Sequence, residues 1–277
     1  MRYSVVMLTM AGREPSMRLA LQKVRAGAST PPDDYEIVVV NNGGSALAAR
    51  HPASRALWLE DLGGPPFLRV IDRPTNEGVC ARNHGISAAN GEFIIQVDDD
   101  VLVTPGFDEV LLAPYENPRV GATGQEGFYQ DSTWGLLIDD RRRPRPGQFC
   151  DLVMGYCWSW RNLRAPYFDG KPNPHGDPPG DARFLYDWDF SPFWHEESDL
   201  QLQIRAVGYR IMMIPPVATH RSLHDWQETH TDGPLTGKSI AERNFLQLID
   251  KWRDKDIRFE GPSVGLVGPA PGKRIAQ

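Results

Sequence analysis

Residues 76–101 read NEGVCARNHGISAANGEFIIQVDDDV. Residues 78–90 of this stretch have helical patterning, residues 93–97 form an apolar, β-branched run, and an Asn-Gly pair lies between them. Asn-Gly suits the end of a helix, and a helix followed directly by a short buried strand is typical of a sheet covered by helices. The stretch therefore predicts an α/β fold.

The same alternation extends in both directions from this stretch. Strands are predicted at residues 4–8, 36–40, 68–71 and 93–97, with a helix at 15–26. After residue 101, proline, glycine and aromatic residues become frequent, and helical periodicity returns at 197–207 and 239–252. We expect one domain over 1–277, made of a nucleotide-binding half (1–114), an acceptor-binding and catalytic half (115–259) and a tail (260–277). Residues 169–181, rich in Pro, Gly and Asp, indicate a functional loop or a flexible insertion.

Composition narrows the possible classes of function. The chain has 30 Lys plus Arg against 36 Asp plus Glu, a net charge of −6, which argues against a nucleic-acid partner. Its longest apolar runs are much shorter than the roughly 20 residues of a membrane-spanning helix. Three cysteines without a C-x-x-C pair, and no secretory leader, favour a reduced compartment. We expect a cytoplasmic protein, either free or peripheral to a membrane.

The strongest local feature is the acidic triplet Asp98-Asp99-Asp100, directly after the apolar run FIIQV. Adjacent carboxylates repel one another, and a hard divalent cation relieves that repulsion through oxygen ligands. Ligands of open α/β sheets bind beyond the carboxyl ends of the strands, where this triplet is expected. On the residues alone, an acidic turn whose carboxylates cap the next helix or stay solvated remains an equal alternative.

Four segments in the same order resemble family 2 glycosyltransferases of the GT-A fold: SVVMLT at 4–9, EIVVVNNGGS at 36–45, the stretch at 76–101, and FSPFWHEESDLQLQIRAVGYRIMMIPPVATH at 190–220. The resemblance reaches from residue 4 to about residue 252. It implies a Rossmann-like nucleotide-binding half fused to an acceptor half around one mostly parallel sheet. It also implies an inverting, metal-dependent, hexosyltransferase-like enzyme that moves a sugar from a nucleotide diphosphate sugar to an acceptor hydroxyl.

The resemblance assigns roles to the acidic triplet and to a histidine. Asp98 and Asp100 match the two ends of the D-x-D motif and are expected to bind Mg²⁺ or Mn²⁺, with Asp100 in direct contact. His220 matches a histidine that can complete the metal or phosphate site, and His224 is its rival. The positions that match the nucleotide-sugar site are Thr9, Asn41, Arg73, Asn76, Arg82, Asp98 and Asp99.

Arginine forks suit diphosphate oxygens, which favours Arg73 or Arg82 for the phosphates; the alternative is that either arginine pairs with an acidic cluster and holds the fold. Glu196 and Glu197 align with the acidic pair of the family, and Glu197 is expected to be the general base. An acceptor hydroxyl is a poor nucleophile until a positioned carboxylate takes its proton. Glu196 remains possible as the base, and one of the pair could instead supply negative charge to a helix N-terminus.

Two departures from the family leave the donor open, because Asn41 stands where Asp is common and Gly44 where Ser is common. A UDP-sugar is the first guess, with GDP- and dTDP-sugars as alternatives. The acceptor could be a glycan, a lipid-linked glycan or a small molecule. Two other functions stay open: a catalytically silent sugar- or nucleotide-binding protein, and a metal-dependent nucleotidyltransferase or sugar-nucleotide hydrolase. Four tryptophans are either walls of the sugar pocket or core residues: Trp158, Trp160, Trp188 and Trp194.

Overall fold

The computed structural model describes residues 1–10, 12–43, 68–130, 136–137, 143–162, 184–192, 194–221, 237–255, 257 and 259–260. Four parallel strands open the chain, in the spatial order β3-β2-β1-β4: β1 (Tyr3–Met10), β2 (Tyr35–Asn42), β3 (Leu68–Asp72) and β4 (Phe93–Val97). Helix α1 (Glu14–Gly27) follows β1, and α2 (Arg82–Ala88) precedes β4. The strands and the first helix predicted from sequence are therefore confirmed, within two residues at each end.

The later elements extend this sheet by four strands and add a separate three-stranded and a separate two-stranded sheet. They are β5 (Val101–Val103), α3 (Phe107–Leu112), β6 (Val120–Gly124), β7 (Gly127–Gln130), β8 (Leu136–Leu137), β9 (Phe149–Cys150), β10 (Leu152–Val153), β11 (Cys157–Arg161), α4 (Glu196–Ala206), β12 (Arg210–Met213), β13 (Ala218–His220) and α5 (Gly237–Trp252). The main sheet has 8 strands in the order β3-β2-β1-β4-β11-β6-β12-β9. Strand β11 is antiparallel to both of its neighbours, β4 and β6.

The predicted fold class, mixed α/β with a large and mostly parallel central sheet, is confirmed. The predicted insertion at 169–181 and the tail beyond residue 260 lie outside the described residues, and the division into two halves remains a prediction. None of the helices in the described part of the chain combines the length and the hydropathy that a bilayer crossing needs.

The strand sequences are apolar in continuous runs because helices cover both faces of the sheet. All residues of β2 and of β4 are buried. Helix α2 approaches the sheet closely at Gly85, where an added Cβ atom would lie 2.7 Å from Val6 Cγ1 and 3.0 Å from Val40 Cγ2. Because glycine has no Cβ atom, Gly85 lets this helix pack close to strands β1 and β2.

Two of the four tryptophans belong to the core. Trp158 and Trp160 of β11 are 0% and 1% exposed and stack with ring centroids 4.3 Å apart. The interpretation of these two as pocket walls is wrong, because they fill the space between the sheet and the helices on one face. Trp188 is half-buried, and Trp194 is 51% exposed.

Helix α5 is attached to α4 through one buried carboxylate. Asp199 is 0% exposed and accepts hydrogen bonds from Trp252 Nε1 at 2.7 Å and Gln203 Nε2 at 2.8 Å, and its Oδ1 lies 2.8 Å from Lys251 Nζ. A buried carboxylate needs such partners to offset its lost hydration. Asp199 therefore orders the start of α4 and its packing against α5.

We expect Asp199→Ala to lower the free energy of unfolding by about 2–5 kcal/mol. The buried donors Trp252 Nε1 and Gln203 Nε2 each lose their acceptor, at about 1–3 kcal/mol each, while Lys251 keeps its contact with Asp187. Urea unfolding of the full chain measures this loss. Asp250→Ala is the matched control, because the Asp250–Arg253 pair is 72% and 59% exposed and should contribute little. Equal stabilities of the two variants would contradict the role of Asp199 as the link between α4 and α5.

Candidate active site

The four parallel strands end at one edge of the sheet and bring polar side chains together there. Thr9 of β1 is in register with Asn41 of β2, and Asn41 with Asp72 of β3, while Asp98 directly follows β4. The strand order reverses between β1 and β4, and open α/β sheets bind ligands in the crevice at such a point. The acidic triplet therefore lies where a ligand site is expected.

Asp98 is held between the sheet and a buried arginine. Its backbone N–H donates to the Tyr156 carbonyl at 3.0 Å, and its Oδ1 accepts a hydrogen bond from Arg82 Nη2 at 2.5 Å. Burial raises the pKa of Asp98 to about 7, although the Arg82 guanidinium opposes the shift. The site thus concentrates negative charge in a poorly hydrated place, which favours a cation.

Asp99 points back toward β1. Its Oδ2 accepts from Thr9 Oγ1 at 2.9 Å, and its Oδ1 lies 2.7 Å from Arg13 Nη2. Burial raises the pKa of Asp99 to about 6, against the effect of Arg13 and the Thr9 hydroxyl. Thr9, which was predicted to contact the nucleotide, is 2% exposed, and in this structure its hydroxyl donates to Asp99.

Asp100 contacts an arginine and a histidine. Its Oδ2 accepts from Arg13 Nη2 at 2.7 Å, and its Oδ1 lies 3.2 Å from His220 Nε2. Burial would raise the pKa of Asp100, but His220 and Arg13 outweigh it and hold the pKa below its usual value. His220 reaches this place because β13 pairs antiparallel with β5, with His220 opposite Val101.

Asp98, Asp100 and His220 form a set of candidate metal ligands. One ligand atom from each lies within 4.8 Å of the others. Two carboxylates and one imidazole suit a divalent cation such as Mn²⁺. The side chains present therefore fit a cation. The rival His224 lies outside the described residues.

Tyr156 supports this set from one side. Its ring stacks on the imidazole of His220, with centroids 5.0 Å apart and planes at 12°. The Tyr156 hydroxyl donates to Glu126 Oε1 at 2.7 Å and accepts from Gln125 Nε2 at 2.6 Å. Partners that fix a ligand's orientation tune metal affinity, so Tyr156 restricts the imidazole of His220.

The remaining predicted nucleotide residues lie along the edge formed by β2 and β3. Asn41 Nδ2 donates to Asp72 Oδ1 at 2.9 Å, while the buried Oδ1 of Asn41 has no hydrogen-bond partner among the described residues. Arg73 Nε donates to Glu77 Oε1 at 2.8 Å. Asn76 Oδ1 accepts from Asn42 Nδ2 at 2.8 Å, which fixes the turn before α2. These contacts leave the predicted roles of Asn41, Arg73 and Asn76 in nucleotide binding as predictions.

Arg82 is the most deeply enclosed of the predicted phosphate ligands. It is 5% exposed and donates a hydrogen bond to Asp98, so it pairs with the acidic cluster, which is the alternative that the sequence left open. Burial lowers the pKa of Arg82, but Asp98, Tyr186, Glu197 and Glu196 outweigh it, and the net shift is upward. Arg82 therefore lies between the acidic triplet and the glutamate pair.

The two glutamates begin α4 and differ in environment. Glu196 is 3% exposed, whereas Glu197 is half-buried. Burial raises the pKa of Glu196 well above its usual range, and the Glu197 carboxylate and a hydrogen bond to it add to the shift. Glu197 rests on Gly155, where an added Cβ would lie 2.4 Å from Glu197 Cγ and 2.6 Å from its Oε1.

The backbone that leads into the glutamate pair is unusual. Trp194 and His195 both have positive φ angles, 77° and 69°, in the left-handed region that side chains other than glycine seldom adopt. Helix α5 holds this turn, because Asn244 Nδ2 donates to the carbonyls of Trp194 and Phe190 at 3.0 and 2.8 Å. Strained residues of this kind concentrate at functional sites.

The sequence pattern described as Glycosyl transferase family 2 matches residues 4–170. The chain belongs to glycosyl transferase family 2. A curated relative is the uncharacterized glycosyltransferase YwdF of Bacillus subtilis (strain 168), 32% identical over 117 residues, which cover 42% of this chain and 39% of YwdF. The confirmed family and the fold agree with the resemblance stated from the sequence.

Solved structures show the GT-A fold of this family 2 chain. GalNAc-T7, solved with UDP, GalNAc and Mn²⁺, superposes with a TM-score of 0.64 at 18% identity, over 91% of this chain and 49% of GalNAc-T7. Mannosyltransferase PcManGT from Pyrobaculum calidifontis, in complex with GDP-Man and Mn²⁺, gives a TM-score of 0.52 at 18% identity, over 78% and 55% of the two chains. The family 2 chain corresponds to only part of each of these longer relatives.

Sequence reasoning missed three contributors to the site of this family 2 chain: Arg13, Gly155 and Tyr156. Arg13 contacts two carboxylates that lie more than 80 positions away, so no local pattern marks it. The one available signal is a basic residue shortly after a strand that ends at the binding edge. Gly155 and Tyr156 precede β11, and only the pairing of β11 with β4 brings them to Asp98 and Glu197.

Proposed function

We propose that this chain transfers a sugar from a nucleoside diphosphate sugar to an acceptor hydroxyl. The observation that carries the proposal is that two acidic sites lie side by side. One is the cluster of Asp98, Asp100 and His220, and the other is the pair of Glu196 and Glu197. The two are close enough that the charge of Glu197 raises the pKa of Asp98. Family membership supports it, as do two GT-A neighbours solved with Mn²⁺ and with UDP and GalNAc or GDP-Man.

The donor side of the proposal rests on the edge of the sheet. Asp98, Asp100 and His220 would hold Mg²⁺ or Mn²⁺, which when bound neutralises the diphosphate and the charge that develops on the departing nucleotide. Asn41 would read the base, because its Oδ1 and its second Nδ2 hydrogen offer an acceptor and a donor side by side. Uracil and thymine (N3–H beside a carbonyl) and guanine (N1–H beside O6) all present a complementary pair, so Asn41 does not choose among them. A UDP-sugar remains the first donor to test, with GDP- and dTDP-sugars beside it.

The acceptor side of the proposal rests on Glu197. The acceptor oxygen would attack the anomeric carbon on the face opposite the nucleotide, forming one C–O bond as the bond to the diphosphate oxygen breaks. Glu197 would take the acceptor proton, and a protonated Glu196 would donate to the Glu197 carboxylate and hold it in place. A single displacement of this kind inverts the anomeric configuration.

The test is incubation with a panel of sugar nucleotides and Mn²⁺, with and without an acceptor extract. Sugar transfer supports the proposal; release of free sugar alone indicates a hydrolase, and binding without turnover indicates a catalytically silent protein. A thermal-shift screen of UDP, GDP, dTDP and CDP selects the base, since a ligand at 100 times its Kd stabilises the fold by roughly 2.7 kcal/mol.

We expect Gly155→Ala to lower turnover by about 10²-fold and to leave donor affinity unchanged, because the new methyl group displaces the Glu197 carboxylate and a misplacement of about 1 Å costs that much. Steady-state kinetics with a saturating donor measure the effect. The double variant Gly155→Ala, Glu197→Asp should recover part of the turnover, since the shorter side chain makes room. Wild-type turnover in the single variant would contradict the seating of Glu197 on Gly155.

A further inference from the structure

Arg13 places a positive charge inside the acidic triplet. It stands at the start of α1, and one guanidinium nitrogen, Nη2, lies 2.7 Å from Asp99 Oδ1 and 2.7 Å from Asp100 Oδ2. The side chains of the two aspartates are 7% and 4% exposed, and that of Arg13 is 15% exposed. At such distances and in such poor hydration, the Coulomb attraction between these charges is screened less than on the surface.

The same carboxylate also belongs to the candidate metal ligands. Asp100 gives one oxygen to His220 and the other to Arg13, and its ligand atom lies within 4.8 Å of those of Asp98 and His220. A divalent cation bound to Asp98 and Asp100 would therefore come within a few ångströms of the guanidinium. Two positive charges that close repel, so the cation and the Arg13–Asp100 contact compete.

We propose that Arg13 is an internal counter-cation that opposes the binding of the metal alone and favours the binding of the metal together with a diphosphate. The inference rests on the proposed function. When the metal takes Asp100, the guanidinium loses one carboxylate partner and needs another anion, and the diphosphate of the donor supplies oxygen acceptors that suit an arginine fork. Metal and nucleotide then bind as a coupled pair, with reciprocal effects on each other's affinity.

A purely structural Arg13 predicts something different. If the guanidinium only held α1 to the triplet, its loss would lower stability and would change both affinities in the same direction or not at all. The proposed role predicts opposite signs: tighter binding of the metal alone, because one competing positive charge is gone, and weaker binding of the metal–diphosphate complex, because an anion partner is gone. The signs of the two changes separate the possibilities.

The experiment uses the full chain with Arg13→Met, Arg13→Lys and the control Arg18→Met, which removes the same charge from an exposed position of α1. Binding of Mn²⁺ alone is measured from the electron paramagnetic resonance signal of free Mn²⁺. Binding of Mn²⁺–pyrophosphate, a probe that carries the diphosphate without any base, is measured by calorimetry. The unfolding midpoint of each variant confirms that it is folded.

We expect Arg13→Met to bind Mn²⁺ alone about tenfold more tightly and Mn²⁺–pyrophosphate about tenfold more weakly, within the usual range of coupling between two ligands. Arg13→Lys should lie between, and Arg18→Met should match the wild type. Unchanged affinities in Arg13→Met, or two changes of the same sign, would overturn the role of Arg13 while leaving the proposed metal site standing. Failure of every variant and of the wild type to bind Mn²⁺ in either experiment would overturn the metal site, and this inference with it.

Discussion

Glu197→Gln is expected to lower turnover by roughly 10² to 10⁴ while the affinity for the sugar nucleotide stays nearly unchanged, since this is the usual contribution of a positioned general base. Glutamine keeps the shape of the side chain on Gly155 but cannot take a proton from the acceptor hydroxyl. Single-turnover kinetics with a saturating acceptor, combined with calorimetric titration of the donor, separate the loss of catalysis from any loss of binding.

Glu196→Gln is the matched control for this experiment. Glu196 is buried and its pKa is well above the usual range, so a neutral glutamine resembles its protonated form and can still donate to Glu197. We expect a much smaller loss of turnover. If the two variants exchange phenotypes, the base is Glu196; if neither loses turnover, base catalysis by this pair is wrong.

Asp100→Ala is expected to abolish transfer and to remove the metal-dependent part of nucleotide binding. Asp100 is the carboxylate that both His220 and Arg13 contact, and its loss leaves Asp98 and His220 too few to hold a divalent cation. Nucleotide titrations with Mn²⁺ and with a chelator measure the metal dependence. The fold should persist, because Arg13 retains its contact with Asp99.

Two further variants serve as a control and a comparison for Asp100→Ala. Asp72→Ala removes a carboxylate from the same edge of the sheet but outside the cluster, and nucleotide binding should keep its metal dependence. Asp98→Ala should lose stability as well as activity, because it leaves the buried Arg82 without its carboxylate partner. Full transfer by Asp100→Ala, with unchanged dependence on Mn²⁺, would contradict the assignment of Asp100.

The parts of the fold that could be predicted are those set by local pattern. The runs at β1, β2 and β4 are apolar and β-branched because both faces of the sheet are covered, and that pattern is legible in the sequence. The acidic triplet was found for the same reason: it directly follows such a strand. Helical periodicity also located α4 and α5, within two residues of their observed ends.

The parts that could not be predicted depend on pairing between distant segments. The burial of Glu196, against a more exposed Glu197, follows from how α4 packs on the sheet, and two adjacent acids look alike in a sequence. The contact of Arg13 with the triplet depends on the crevice between β1 and β4. Trp158 and Trp160 look like sugar-stacking residues until the position of β11 inside the sheet shows them to be core.

The antiparallel direction of β11 limits how the substrate specificity of this site can change. Because β11 runs against β4, Cys157 pairs with Val97, and a main-chain hydrogen bond joins Asp98 to Tyr156, next to the glycine on which Glu197 rests. Under the proposed mechanism, the transferred sugar lies between Asp98 and Glu197. The backbone pairing of β11 with β4, and not the side chains, sets the distance between these two residues. Exchanging side chains around the acceptor would therefore change acceptor selectivity without changing that distance. Accepting a bulkier donor sugar would require a change in the backbone pairing of β11 with β4.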